Sequence, residues 1–225
     1  MTLTTQKFDK IEKAFLSHLN RIFTDLNESI TILRKTKNSL IKSELCLAFI
    51  AADTFSRFYK IIQGASEEEL DSKIEERFKH WFKDFVFTEK NETYAEHKEE
   101  INCDTGIAWK LRNALIHFYG LPDPQKTGGS IALSGGDSKL MRECEKKFKA
   151  ISNQSVRLIH PYFLIEAIKS GLLVQLLSMA EMIKQRPNDY VKSVLLAHKI
   201  IMREGTVYVS NNDPINQKWY AIFQK

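Results

Sequence analysis

The chain has 225 residues, of which 43% are hydrophobic and 27% are charged, and its formal net charge is +5. This length and composition predict a soluble globular protein with a sizeable core, and the small excess of positive charge favours polyanionic partners only mildly. The three cysteines, Cys46, Cys103 and Cys144, are widely spaced without a C-x2-C pair, which argues against a disulfide framework or a zinc ribbon and indicates a reducing compartment.

The first hundred residues predict a series of helices. Apolar residues at helical spacing predict a first helix over about 6–27, which a basic connector over 29–37 would follow. A second helix is expected from residue 38 or 39 to Gly64, and since residues 44–62 are apolar nearly all round, it should lie at the centre of a bundle. Ser66 and Glu69 match a capping box that opens a third helix ending near residue 87. Residues 88–102 are expected to form a loop or a weak helix.

A helix with a polar face is predicted next. Asp104 or Thr105 can cap its N-terminus, Gly120 is expected as the left-handed residue at its end, and Pro122 prevents continuation. At about 100° per residue, Tyr119 lies near Arg112, whereas Asn113 and His117 lie about 100–140° further round. One arc forms the core-facing stripe: Ile107, Ala108, Leu111, Ala114, Leu115 and Phe118.

The composition changes after Gly120. Prolines and two Gly-Gly pairs surround a short strand at 131–133, and an alternating segment at 156–159 is a candidate partner for it. We therefore expect a short β-hairpin insert over about 121–159, with a charged helix over 138–150. A long helix should begin at Pro161 and end near residue 185, and a last helix is expected over about 188–204.

The C-terminal segment is expected to dock on the domain. Residues 206–210 have strand composition, and the tail contains Trp219, Tyr220, Ile222 and Phe223. We expect a mainly α-helical protein in which residues 1–186 form a helical domain that includes the β insert, and residues 187–225 form a C-terminal extension. Residues 1–15 carry no apolar leader, and the longest apolar stretch, 171–183, is too short to span a bilayer, so a cytoplasmic protein without membrane contact is predicted.

Two side chains of the predicted helix suit phosphodiester chemistry. The planar guanidinium of Arg112 can hold phosphate oxygens, and the imidazole of His117 can move a proton near neutral pH. The two lie about 140° apart on one straight helix, and large apolar residues, Trp109 and Ile116, lie between them. Such a face suits a second packing surface, and a two-fold axis beside the helix would repeat the pair in a shared cleft.

The spacing Arg112-Asn113-x3-His117-x-Tyr119 resembles the R-x4-H motif of the HEPN superfamily, many members of which are metal-independent ribonucleases. The resemblance is close over 109–120 and loose over 44–185. It implies a helical bundle, a site shared across a homodimer, catalytic roles for Arg112, Asn113 and His117, and no metal or cofactor. The R-x4-H-x-Y form is that of HepT-type toxins, whose antitoxin is a nucleotidyltransferase that can modify the tyrosine. This chain is longer than those toxins and carries the insert and the extension.

Three functional interpretations follow. The first is an endoribonuclease that cleaves RNA by attack of the ribose 2′-OH, with Tyr119 and Asp53 in supporting roles. The second is a non-catalytic module whose Arg-His face binds RNA or a nucleotide or forms a dimer, and the third is a helical protein without a nucleic-acid role. Asp53 lies in an apolar segment and needs a partner. That partner would be Arg57, one turn away, or Arg112.

Overall fold

The computed structural model describes residues 5–36, 40–185 and 188–204, and these residues form a mainly α-helical protein with a small two-stranded parallel sheet. The elements, in chain order, are α1 (Thr5–Arg34), α2 (Ile41–Ile62), α3 (Glu67–Ser72), α4 (Ile74–Trp81) with a π-helical segment (Phe82–Val86), α5 (Glu92–Ile101), α6 (Thr105–Phe118), α7 (Pro124–Thr127), β1 (Ser130–Leu133), α8 (Ser138–Ser152), β2 (Val156–Ile159), α9 (Pro161–Gln185) and α10 (Asn188–Glu204).

Helix α2 lies at the centre of the bundle, as its apolar sequence predicted. It contacts α1, α4, α6, α9 and α10. Its side chains Leu45, Phe49, Ala52 and Phe55 have no exposed surface. The predicted basic connector before it is wrong in part, because α1 continues to Arg34 and so includes most of that segment. The predicted start of the second helix at 38 or 39 lies outside the described residues.

The predicted third helix is present but is divided. Ser66 and Glu69 form the predicted capping box, yet α3 ends at Ser72, because Lys73 leaves the helical conformation at φ −120° and ψ 41°. Helix α4 then begins at Ile74 and continues into the π-helical segment. The aromatic residues of this region form part of the core: Phe78, Trp81 and Phe82 are fully buried and Phe85 nearly so.

The π-helical segment packs closely on α9. A Cβ atom at Gly171 would lie only 2.9 Å from the carbonyl oxygen of Phe85 and 3.1 Å from Cγ2 of Val86. Asn91, fully buried, joins the same two elements, since its amide donates to the carbonyl oxygens of Phe85 and Ala167 at 2.9 and 2.8 Å. Its side-chain oxygen also caps α5. The segment predicted as a loop or weak helix forms the helix Glu92–Ile101, which is kinked at His97 (φ −117°, ψ 26°).

The predicted β-hairpin is wrong. Strands β1 and β2 do pair, but they are parallel, with Ser130 opposite Val156 and Leu133 opposite Ile159. Helix α8 connects them as a crossover. A hairpin needs a short turn between its strands, whereas a parallel pair needs a long crossover, usually helical. The 15-residue α8 provides this connection.

Over Pro161–Met179, α9 has the length and hydropathy of a membrane-crossing helix, so the apolar stretch is longer than the sequence analysis predicted. Four of its side chains, Leu164, Ile165, Ile168 and Leu172, have no exposed surface. The helix contacts α2, α5 and the π-helical segment. Burial in the core accounts for part of its apolar composition, since 44% of this segment is buried, whereas Leu173 and Leu177 are exposed. The predicted strand at 206–210 and the predicted docking of Trp219, Tyr220, Ile222 and Phe223 lie outside the described residues.

Candidate functional site

The polar helix of the sequence analysis is α6, and its start is as predicted. The Asp104 side chain accepts the N–H of Ile107 at 2.9 Å and caps the helix. The end differs from the prediction, because the left-handed residue is Tyr119, with φ 49°, and not Gly120. The Tyr119 hydroxyl lies 2.7 Å from the Ser43 hydroxyl. The prediction that Tyr119 lies on the same helix face as Arg112 is wrong, because α6 ends at Phe118 and Tyr119 is no longer helical.

Helix α6 runs antiparallel to α2, since Arg112 meets Asp53 at one end of the contact and Tyr119 meets Ser43 at the other. Four predicted core residues are buried: Ala108, Leu111, Ala114 and Leu115. Ile107 is half-buried, and the prediction for Phe118 is wrong, because 83% of its surface is exposed. The last turn of α6 lies beside the first turn of α2, so Phe118 extends past the core.

Arg112 is held firmly on the inner side of this contact. Its Nη2 lies 2.7 Å from Oδ2 of Asp53, and its Nη1 donates to Oδ1 of Asn113 at 2.9 Å. The guanidinium carbon lies 5.2 Å from the centre of the Trp109 ring, a distance at which a cation is attracted to the aromatic face. Only 14% of the Arg112 side chain is exposed. These contacts fix the orientation of the guanidinium group within a single chain.

Asp53 contacts two arginines from different helices. Its Oδ1 lies 3.2 Å from Nη2 of Arg77 on α4, while its Oδ2 contacts Arg112 on α6. Arg77 also donates to the carbonyl oxygen of Leu70. Burial lowers the pKa of the Arg77 guanidinium, and the charge of Asp53 opposes that effect. Arg112 is thus a partner of Asp53, and Arg57, the other candidate, lies 3.5 Å from Asp71.

Arg77 is the member of this cluster that sequence analysis missed. It lies 24 positions from Asp53, and helical periodicity within one segment does not reveal a contact between two helices. One sequence feature does indicate that Arg77 is buried, because it directly precedes the aromatic residue Phe78. A cleft of about 280 Å³ opens beside the cluster, and its lining includes Asp53, Arg57 and Arg77.

His117 is in a different environment. It is exposed on the last turn of α6, and its ring centre lies 6.2 Å from that of Phe118. By helix geometry, the Cα atoms of Arg112 and His117 are about 7.5 Å apart along the axis and about 140° apart around it. A single chain therefore places the guanidinium against Asp53 of α2 and the imidazole on the surface. Within residues 5–36, 40–185 and 188–204, no three His, Cys, Asp or Glu side chains are grouped to hold a metal ion.

Searches against protein-family models, curated proteins and solved structures find no significant match to this chain.

Proposed function

We propose that this protein is a metal-independent endoribonuclease of HEPN type. The observation that carries the proposal is the immobilised Arg112, which Asp53, Asn113 and Trp109 hold on the same helix that exposes His117. An oriented guanidinium can bind a scissile phosphate without further reorganisation, and an exposed imidazole can exchange protons with a bound ribose.

The proposed reaction is an internal transesterification. The ribose 2′-oxygen attacks the adjacent phosphorus while one imidazole accepts the 2′-OH proton. A bond forms between the 2′-oxygen and phosphorus, and the bond from phosphorus to the 5′-oxygen of the next nucleotide breaks. That oxygen leaves with a proton that a second group, acting as the acid, donates. The products are a 2′,3′-cyclic phosphate and a 5′-hydroxyl, and the reaction requires no metal or cofactor.

We propose that this acid is His117 of a second copy of the chain. One subunit exposes a single imidazole at the end of α6, whereas the reaction needs both a base and an acid. A two-fold axis beside α6 would bring two copies of His117 and Arg112 to one cleft. Exposed Ile50 on α2 and exposed Phe118 provide apolar surface for this homodimer. In this arrangement RNA would contact residues of both subunits.

The neighbouring side chains have supporting roles in the proposal. Asp53 and Asn113 orient Arg112, so they are positioning residues. Tyr119 is half exposed, and Lys42 lies 5.9 Å from the centre of its ring. Its hydroxyl is on the surface near Ser43, where it could contact RNA. In the HepT-like version of the proposal, a nucleotidyltransferase antitoxin would modify this hydroxyl, and the protein would act as a toxin or in defence.

The test is RNA cleavage in the presence of EDTA. Purified protein should cut a labelled single-stranded RNA and leave 2′,3′-cyclic phosphate ends. His117→Ala should lose at least about 100-fold in rate, in the range expected for a general acid or base. Arg112→Lys should also lose activity, because a lysine cannot form the planar contact with phosphate. His80→Ala, which removes another exposed histidine on α4, is the matched control and should cleave at the wild-type rate.

Mixing provides a test of the shared site. An excess of His117→Ala protein should inhibit wild-type protein if subunits exchange between dimers. The ribonuclease proposal is wrong if the wild-type protein does not cleave RNA, or if folded His117→Ala, checked by circular dichroism, retains full activity.

A second candidate function is a non-catalytic module that binds RNA or a nucleotide, or that only dimerises. The contact between Arg112 and Asp53 favours it, since a guanidinium already paired with a carboxylate binds phosphate less strongly. The same assay separates the candidates: binding of RNA without cleavage would support the module.

A further inference from the structure

Helix α8 carries an apolar stripe that the described part of the chain covers only in part. Leu140, Cys144, Phe148 and Ile151 are all exposed, with Ile151 at 87%, Leu140 at 52% and Phe148 at 40% of their surfaces. At about 100° per residue, the four side chains fall within an arc of about 80° on a helix of 15 residues. Apolar side chains in such an arrangement are typical of a face that packs on another element.

The contacts of α8 with its own chain use a different arc. Met141 is buried, and Oε1 of Glu145 accepts the backbone N–H of Leu158 on β2 at 2.7 Å. Arg142 contacts Glu99 of α5 at 2.6 Å. By the same helix geometry, Met141 lies about 20° beyond the edge of the stripe, and Glu145 and Arg142 lie about 140° and 200° from Leu140, outside the stripe. The helix is therefore anchored on one side and presents its apolar stripe on the adjacent side.

The charges around the stripe indicate what kind of partner fits it. Glu143 and Lys147 border the stripe on its outer side, and both are exposed. Arg142, Lys146 and Lys149 lie on the far side of the helix, about 180–240° from Leu140. An anionic lipid surface or an RNA backbone would require positive charge along both borders of the stripe. The border instead carries one negative charge, on Glu143, and one positive charge, on Lys147. A partner fits this border if its own positive and negative charges follow in the opposite order.

A second copy of the chain has that order when it is turned end to end. The four apolar positions are distributed almost symmetrically about the middle of α8, near Glu145 and Lys146. In an antiparallel pair of α8 helices, Leu140 would face Ile151 of the second copy, and Cys144 would face Phe148 of the second copy. Glu143 would then lie opposite Lys147 of the second copy, and the two-fold axis would repeat every contact.

We propose that the exposed stripe of α8 is an interface between two copies of this chain, which pair antiparallel through Leu140, Cys144, Phe148 and Ile151. One pair of 15-residue helices buries less than the area of roughly 800 Å² per partner that stable complexes use. The pairing is accordingly weak and depends on protein concentration. It involves other residues than the proposed dimer at α6, which would use Ile50 and Phe118.

The first test is a charge exchange, read by sedimentation equilibrium. Glu143→Lys alone and Lys147→Glu alone each place like charges across the axis, so each should weaken association at least about tenfold. The double variant restores opposite charges and should recover wild-type association. Failure of the double variant to recover, with helix content unchanged by circular dichroism, would contradict the antiparallel pairing.

A second variant pair tests the apolar contacts. Ile151→Asp should abolish association through α8 without loss of folding, since the side chain is almost fully exposed. Leu177→Asp on α9, where 60% of the residue is exposed, is the control and should associate as the wild type does. The proposal is wrong if Ile151→Asp and the wild type associate equally.

Cys144 provides a test that is specific for α8. With helix axes about 8–10 Å apart, the two Cys144 thiols would be within reach of a short bis-maleimide cross-linker. Wild-type protein should form a cross-linked dimer that Cys144→Ser and Ile151→Asp do not form. Absence of the cross-link at the highest soluble concentration would overturn the proposal. Because this readout concerns α8 alone, it does not depend on whether copies also meet at α6.

Discussion

Asp53 on α2 contacts Arg112 on α6 through one carboxylate oxygen, at 2.7 Å, and Arg77 on α4 through the other, at 3.2 Å. A single acid therefore joins three helices. Two arginines share it, and both are largely buried, with 14% and 8% of their side chains exposed. Loss of the acid would leave two guanidinium groups without their shared carboxylate, which is more destabilising than loss of a surface pair.

Asp53→Asn should lower the free energy of unfolding by about 2 kcal/mol, a figure reduced from that of fully buried pairs because Asp53 is partly exposed. Urea unfolding provides the measurement. Arg21→Gln is the control, since it removes an exposed pair with Asp25 at 3.7 Å and should change stability by less than about 0.5 kcal/mol. Equal effects of the two substitutions would show that the cluster contributes no more than a surface pair.

The same Asp53→Asn variant should impair RNA cleavage if the proposed function holds. A positioning residue acts through Arg112, so the variant should lower kcat more than it raises KM. Steady-state kinetics on a short RNA at a temperature where the variant stays folded provides the measurement. A change in KM alone would indicate a role in binding, and no change in either constant would exclude Asp53 from the site.

Gly171→Ala should destabilise the protein by about 1–3 kcal/mol, because the new Cβ would lie 2.9 Å from the Phe85 carbonyl oxygen in a packed core. Helix propensity alone predicts the opposite sign, a gain of about 1 kcal/mol. Thermal unfolding of Gly171→Ala measures whether the steric contact or the helix propensity determines the sign of the stability change. Gly135→Ala, where a Cβ would meet nothing within 4 Å, is the matched control and should be neutral or slightly stabilising.

Asn91→Ala should lower the free energy of unfolding by about 3 kcal/mol. The substitution removes the N-cap of α5 and leaves the carbonyl oxygens of Phe85 and Ala167 without their buried donor. Denaturant unfolding gives the value. Asp137→Ala removes the N-cap of α8 at an exposed site and should lose only about 1 kcal/mol. A similar loss in both variants would mean that the bridge to α9 contributes little.

The protein should lose stability in mild acid, in part through His160. This residue is buried, its Nδ1 accepts the N–H of Phe163, and burial lowers its pKa below the ordinary value of 6.5. Nearby His97 lowers that pKa further, whereas Glu100 and a hydrogen bond with the backbone of Gly135 oppose the shift. Because the unfolded chain binds the proton more tightly, this contribution is complete above pH 6.5 and is lost as pH falls towards the folded pKa.

The check compares urea unfolding of the wild type and of His160→Gln at about pH 7.5 and about pH 5.5. The variant should show the smaller fall in unfolding free energy between the two values. Some fall should persist, because burial and Arg21 also lower the pKa of His18. An equal fall in both proteins would remove His160 from this account.

The sequence by itself determined the features that depend on neighbouring residues. An apolar sequence nearly all round predicted α2 as the centre of the bundle. Capping residues predicted the start of α3 after Ser66 and the start of α6 after Asp104 or Thr105, of which Asp104 is the cap. These patterns depend on side chains within one or two turns of each other, so a linear sequence contains them. The R-x4-H-x-Y spacing is equally local, and the ribonuclease proposal that rests on it stays a prediction.

Only the tertiary structure decided the contacts between distant segments. The sequence offered two partners for Asp53, and packing of α2, α4 and α6 brought in Arg77, a third residue whose contact with Asp53 no pattern within one segment indicated. Likewise, the composition of residues 130–133 and 156–159 is compatible with parallel and with antiparallel pairing. The strands are parallel because α8 crosses from the end of the first strand to the start of the second. Each outcome depends on how whole helices pack around a common core, which is a property of the folded chain and not of any short segment.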